Sequence, residues 1–346
     1  QSYDLAYYSE KIKKSLFAFD EAETKPYFEK NATLQGMLNL VSTLFDISFQ
    51  EVKTPVWHDS VKVYEITEEG NAVARIYFDL EARESKRGGA WMHNWQSYFQ
   101  DSKGQIHLPS AFVVGNFAAA TAEQPSLLRH DDVVTLFHEM GHAIHHLFSK
   151  VTHRSISGIE GVSWDVVEFP SQFLENFAYE AAILKSFAKH YKSGESIPEA
   201  LLHKIKETKN FQAAMAMLRQ LEFALFDFTL HQKLYQGEEV NALISTIREQ
   251  TAIIKPPLFV RFEHGFAHIF AGGYAAGYYS YKWAEVFSAD AFFACLEDGN
   301  FNLKRAKEYK EHILEKGASR DMSQLYHEWL GKRPQTDSLI KLYDIQ

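Results

Sequence analysis

Cysteine is nearly missing from this chain: Cys295 is the only one among 346 residues. That excludes an internal disulfide framework and any metal site built from several thiolates, so a metal here would need imidazole and carboxylate ligands. No uninterrupted apolar stretch is long enough to span a bilayer. The first residues, QSYDLAYYSEKIKKSL, lack the charged start, apolar centre and small-residue cleavage site of a secretory signal, which leads us to expect a cytoplasmic protein. The chain begins with Gln1 instead of Met, as a fragment or processed form would. There is no block of Lys and Arg: 36 basic and 45 acidic residues are mixed along the chain, for a net charge of −9. That pattern argues against nucleic acid as a partner. Repeats, low-complexity tracts and obvious linkers are also missing. What remains is a globular composition, 46% hydrophobic and 14% aromatic, sufficient for a large core.

Apolar residues recur at helical spacing in the first fifty positions, at Leu5, Tyr8, Ile12 and Leu16 and again at Leu38, Val41 and Leu44. The period then changes. From Val61 to Ala82 the chain alternates as a strand does, around a turn at Gly70-Asn71, which predicts a hairpin. A further strand is expected over Ile106 to Val114. Beyond Asp131 long apolar helices return, one of them near Phe211 to Tyr235. The expected fold is mainly α, with a small antiparallel sheet just before the segment that carries the chemistry.

That segment is DDVVTLFHEMGHAIHHLF. Val133, Phe137, Met140, Ile144 and Leu147 share one helical face, and Asp131 or Asp132 can cap the start. His138 and His142 stand four apart on another face, so both imidazoles can reach one zinc ion, with Glu139 beside them. In this HExxH arrangement the metal acidifies a water and the carboxylate takes its proton.

HExxH alone is only suggestive. A second helix-like stretch, SWDVVEFPSQFLENFAYEAA, sets Asp165, Glu168, Gln172 and Glu175 at spacings of three and four amid Val166, Val167, Phe169, Phe173, Leu174 and Phe177. Carboxylates flanked by so much apolar surface need cations, which zinc and histidine would provide. Glu168 is the expected third ligand, with Asp165 and Glu175 orienting the histidines. Glu160 is the rival, but it lies in a glycine-containing loop, and rigid elements hold ligands better.

A third stretch, HGFAHIFAGGYAAGYYSYKWAEVF, combines Gly272, Gly273 and Gly277 with His268, Tyr274, Tyr278, Tyr279 and Tyr281. A Tyr-rich glycine loop can serve packing or can donate hydrogen bonds to a developing oxyanion.

Together these segments resemble the thimet oligopeptidase and oligopeptidase A family of zinc metallopeptidases. YFDLEARESKRGGAWM, RQLEFALFDFTLH and GKRPQTDSLIKLYDI agree in the same order, so the resemblance runs from about Asp4 to the C-terminus. It implies a zincin-like helical catalytic domain over residues 1–346, lining one side of a peptide channel. It also implies one Zn2+ per chain on His138, His142 and Glu168, with Glu139 as general base. His268, Tyr274, Tyr278, Gly272 and Gly273 would meet substrate, with Tyr281 placed at the oxyanion. Short peptides would be cleaved, their backbone pairing with an edge strand within Ile106 to Val114. Family members are usually about twice this long, and their N-terminal half is absent here. A non-catalytic zinc and peptide binder, or an enzyme releasing C-terminal dipeptides, are the alternatives. Met140 departs from the family's usual aromatic residue, and either fills an apolar gap.

Overall fold

The computed structural model of the chain describes residues 2–345 apart from 258 and 298. The ends of the expected domain, Gln1 and Gln346, therefore lie outside the described residues. Helices α1 (Leu5–Phe17) and α2 (Lys30–Phe45) form where the periodicity predicts them. Leu38, Val41 and Leu44 of α2 are buried, whereas Tyr8, Ile12 and Leu16 of α1 stay exposed. A 3.6-residue pattern specifies a helix face but does not say what covers it.

Strands β1 (Ser48–Glu51), β2 (Lys62–Glu68), β3 (Asn71–Glu81), β4 (Trp91–Gln96) and β7 (Ser110–Phe117) form a five-stranded sheet in the order β1-β2-β3-β7-β4. The short β5 (Phe99–Gln100) and β6 (Ile106–His107) pair with each other instead. The β2–β3 hairpin turns one residue earlier than expected. Glu69 and Gly70 both take positive φ, 50° and 79°, and Asn71 already pairs with Glu68. This is the conformation of a two-residue type I′ turn, whose twist matches that of the strands.

Two expectations for the sheet need correction. The strand expected over Ile106 to Val114 is split between β6 and β7, with Pro109, which has no N–H to give a ladder, between them. β7 then lies inside the sheet, parallel to β3 on one side and antiparallel to β4 on the other. The sheet is mixed rather than antiparallel, and its edge near the helices is β4, not a strand within Ile106 to Val114. Ile76, Phe78, Ala111 and Val113 face the core, while Tyr77 and Phe112 join Trp57 and Trp95 on the opposite face.

Helix α3 (His130–Leu147) lies between the sheet and α5 (Phe169–Glu175). The segment expected as one helix is broken into α4 (Trp164–Val167), α5 and, after a 3-10 turn, α6 (Ala181–Phe187). Pro170 explains the break, because its ring would clash with the carbonyl of Val166 in a continuous helix. Helices α7 (Glu199–Thr208), α8 (Ala213–Leu230) and α9 (Glu238–Thr251) follow, with α8 inside the expected Phe211 to Tyr235. Next come α10 (Ala267–Phe270), α11 (Ser280–Cys295), α12 (Leu303–His312), α13 (Met322–Leu330) and α14 (Asp337–Leu342).

The main core joins α2, the inner sheet face, α3, α5, α11 and α13. A smaller apolar cluster of Phe226, Ile244, Ile247, Phe266, Ile269 and Tyr278 ties α8 and α9 to the Gly/Tyr stretch. Among the described residues, no helix is long and apolar enough to cross a membrane.

Candidate metal centre

Helix α3 begins with a one-sided cap, closed by an ion pair between the Arg129 guanidinium and Asp132. Asp132, the third helical residue, accepts the backbone N–H of Arg129 at 2.9 Å. Val133, Phe137, Met140, Ile144 and Leu147 are all buried, as their spacing predicts. That fixes the roll of the helix and turns His138 and His142 towards the junction of α4 and α5.

The approach of that junction depends on Gly141. A Cβ at this position would lie 2.3 Å from the Pro170 carbonyl oxygen and 2.4 Å from Ser171 Cα. The second helix therefore meets the first backbone to backbone, between the two histidines. Glu168, at the break between α4 and α5, is carried against both imidazoles.

His138 Nε2 and His142 Nε2 lie 3.2 Å apart, and Glu168 Oε2 is 3.3 Å from the first and 3.1 Å from the second. Among the described residues, this is the one group of three such side chains whose donor atoms converge as a metal site requires. Glu168 is 1% exposed. Burial alone would push its carboxyl up, but the two imidazoles outweigh that and hold it well below the usual carboxylate range. Burial likewise opposes charge on His138, yet Glu168 and Glu175 raise it well above its ordinary value. Glu175 accepts from His138 Nδ1–H, which leaves Nε2 free to face the cluster. The second oxygen of Glu168 accepts from Tyr274 Oη at 2.6 Å, and Ser171 Oγ donates to Oε2 at 3.0 Å.

Asp165 departs from expectation. It accepts a hydrogen bond from the Tyr279 hydroxyl and orients neither histidine. The break at Pro170 turns α4 away from the line of α5, so the carboxylate stripe does not act as one face. Gln172 also leaves it, donating to the Tyr281 carbonyl at 2.9 Å. Glu160 is bonded to Asn94 of β4, away from the cluster.

Glu139 sits one residue beyond His138 and is 7% exposed. Burial raises its pKa against the pull of His142 and His138, and the Met92 backbone amide of β4 lies against it. The edge strand is pinned here by His146, whose Nε2 donates to the Gln96 carbonyl at 2.9 Å.

Across the cluster, Tyr274 and Tyr281 stack with centroids 5.2 Å apart, and Tyr278 meets Tyr281 at 5.1 Å. Burial, then Glu168, raises the pKa of both Tyr274 and Tyr281. Tyr278 is buried in the smaller cluster, while His268 of α10 and Gly272 and Gly273 of the loop are exposed, with the His268 ring 5.8 Å from Tyr278. Tyr274, expected at the substrate, donates to Glu168.

The loop is fastened by a residue that sequence reasoning missed. Asp227 of α8, fully buried, accepts the N–H groups of Ala276 and Tyr278 at 2.9 and 2.8 Å. His231 Nδ1 stands 3.0 Å from the same carboxylate. The signal was an acid inside the apolar run ALFDFTL, since a buried carboxylate demands partners. Gly141 and His146 were missed as well, because a helix period does not report which neighbour comes close.

Oligopeptidase A of Escherichia coli (strain K12) is 41% identical over 100% of this chain and 52% of its own length. Oligopeptidase A of Haemophilus influenzae is 42% identical over 98% of this chain and 50% of its own length. The chain thus spans about half the length of these curated relatives. Among solved structures, BsuCP shares the fold at a TM-score of 0.52 and 14% identity, over 98% of this chain and 65% of that one. The profile of Peptidase family M3 matches residues 1–345, and the chain belongs to that family.

Proposed function

We propose that this chain is a zinc-dependent peptidase that hydrolyses peptide bonds in short oligopeptides, with His138, His142 and Glu168 as ligands and Glu139 as general base. The observation that carries the proposal is the spacing of the donors. Ligands bound tetrahedrally at about 2.0–2.1 Å lie about 3.3 Å from one another, and the three separations here are 3.1, 3.2 and 3.3 Å. Two imidazoles and one carboxylate form a donor set that zinc uses in hydrolytic sites, with a fourth position left open. Bound there, zinc supplies Lewis acidity to the scissile carbonyl and to the attacking water.

The remaining steps belong to the chain. Glu139, adjacent to His138 and shielded from bulk water, takes the proton from the nucleophilic water and delivers it to the leaving amine. A phenol keeps its proton at neutral pH, so Tyr281 is the candidate donor to the developing oxyanion, with Tyr278 and His268 facing substrate from the same stretch. Tyr274 holds Glu168 in place through its hydroxyl. Edge strand β4, next to Glu139, offers backbone groups to an extended peptide. The substrate class is carried from the name of oligopeptidase A, which this chain matches over about half of that protein.

Metal analysis and cleavage of a quenched peptide test this reading. The purified chain is expected to bind one zinc, and Glu139→Gln to keep that zinc while losing about a hundredfold or more in kcat, as removal of a general base does. A chain without stoichiometric zinc, or a Glu139→Gln variant with undiminished cleavage, overturns the proposal.

A further inference from the structure

Beside the metal centre lies a cavity of about 530 Å³ whose wall includes Glu175, His268, Tyr278 and Tyr281. That volume suits a small ligand or a short peptide end. Its wall also includes Lys209 just after α7, Lys282 and Glu285 of α11, and Tyr343.

Most charges in this cavity are matched. Glu175 is engaged with His138. Lys282 Nζ donates to Glu285 at 2.6 Å and to the Tyr343 hydroxyl at 2.8 Å, and that hydroxyl donates back to Glu285 at 2.7 Å. Lys209 differs. Its ammonium donates to Asn176 Oδ1 at 3.2 Å and lies 4.6 Å from the centre of the Tyr179 ring. An amide oxygen and a ring face leave at least one of its three N–H donors uncommitted, and among the described residues no carboxylate comes within ion-pair distance of it. Burial brings its pKa down to about 8 against the pull of Glu180, Glu175 and Glu285, so it remains mostly cationic at neutral pH. A half-buried cation that faces a cavity, unpaired, is costly unless a ligand completes it.

We propose that Lys209 is a specificity-determining residue whose ammonium receives a carboxylate of the bound peptide in this cavity. The inference rests on the peptidase reading above. The carboxylate has two possible sources, the C-terminus of the peptide and an Asp or Glu side chain.

The test uses two pairs of quenched peptides. One pair differs only in a free-acid or amidated C-terminus, the other, amidated throughout, in Glu or Gln at one position. The readout is the ratio of kcat/KM within each pair. Wild type is expected to favour the carboxylate member of one pair by about tenfold or more, mainly through KM, and that pair identifies the source. Lys209→Met and Lys209→Gln should bring the ratio close to one, and Lys209→Arg should keep most of it. A wild-type ratio near one in both pairs, or a ratio that survives Lys209→Met, overturns the proposal. If wild type cleaves none of the peptides, the peptidase reading fails. Calorimetry of N-acetyl dipeptides carrying the same acid and amide pairs then decides the subsite separately: it stands if Lys209→Met abolishes the preference for the acid, and falls if the preference is missing in wild type or persists in the variant.

Discussion

Glu168 is buried as a carboxylate because its surroundings consist of groups that favour the charged form: two imidazoles, the Tyr274 hydroxyl and the Ser171 hydroxyl. Without them it would have to be neutral. The same logic runs outward through His138. Glu175 accepts from Nδ1, and that bond selects the tautomer whose Nε2 lone pair points into the cluster. Glu175→Gln keeps the shape and an acceptor oxygen but removes the charge that makes the imidazole a better donor. Metal affinity is expected to fall about 10–100-fold, read by competition against a chelator of known strength, with the fold unchanged by circular dichroism. An unchanged affinity would separate Glu175 from the metal centre.

At the level of elements, the site depends on how closely α5 is allowed to approach α3. Gly141→Ala places a methyl group inside the Pro170–Ser171 backbone, where no side chain can rotate aside. The helices must separate, at an expected cost of about 1–3 kcal/mol. A lower urea midpoint with chelator present would show the packing loss, and a reduced zinc stoichiometry would show that the cluster has opened with it. The sheet has its own anchor in Asp79 of β3, 2% exposed. Burial would raise its pKa, but bonds from Arg83, Trp57 and Lys86 outweigh burial and hold it at about 2. Lys86 also donates to the carbonyls of Asp79 and Glu81 at 2.8 Å and to that of Gly115, joining β3 to β7. The folded value lies below the unfolded one of about 3.9, so the stabilisation is full above about pH 5 and is lost as the pH falls through about 2. It amounts to about 2.5 kcal/mol. The difference in urea midpoint between wild type and Asp79→Asn should therefore shrink steadily between pH 5 and pH 2.5, both values being about the range set by those two pKa values.

These elements also mark how far the sequence could be read. The roll of α3, and with it His138, Glu139 and His142, follows from five apolar residues on one face, because burial enforces that period. Glu168 was legible for a related reason, since a carboxylate amid phenylalanines must be paired. Asp165 was misassigned because Pro170 breaks the helix that would have aligned it, and the strand over Ile106 to Val114 because pairing across the sheet is long-range. Nothing in the local pattern of β7 says that β4 takes the edge. The contact made through Gly141 was hidden for the same reason: a glycine in a helix does not reveal which backbone it admits.

Across the whole molecule, the candidate site is assembled from two separately packed parts. His138, His142 and Glu168 sit against the main core, on α3 and at the α4–α5 junction, while the Gly/Tyr loop is seated on the smaller cluster of α8 and α9. The two meet through Tyr274 to Glu168, Tyr279 to Asp165 and Gln172 to the Tyr281 carbonyl, while on its own side the loop is held by Asp227. Each oxygen of that buried carboxylate accepts one backbone N–H. In Asp227→Asn one acceptor remains, and the amide –NH2 confronts an N–H that it cannot satisfy, at a local cost of about 1–3 kcal/mol. The loop should loosen while α3 and Glu168 keep their places. Hydrogen exchange over 271–279 is expected to rise and kcat/KM for peptide cleavage to fall, with zinc stoichiometry still at about one per chain, because Glu168 keeps both imidazoles and the Ser171 hydroxyl as partners when Tyr274 loosens with the loop. Loss of zinc in Asp227→Asn would instead show that the two parts form one cooperative unit, with the metal centre dependent on the loop for its assembly.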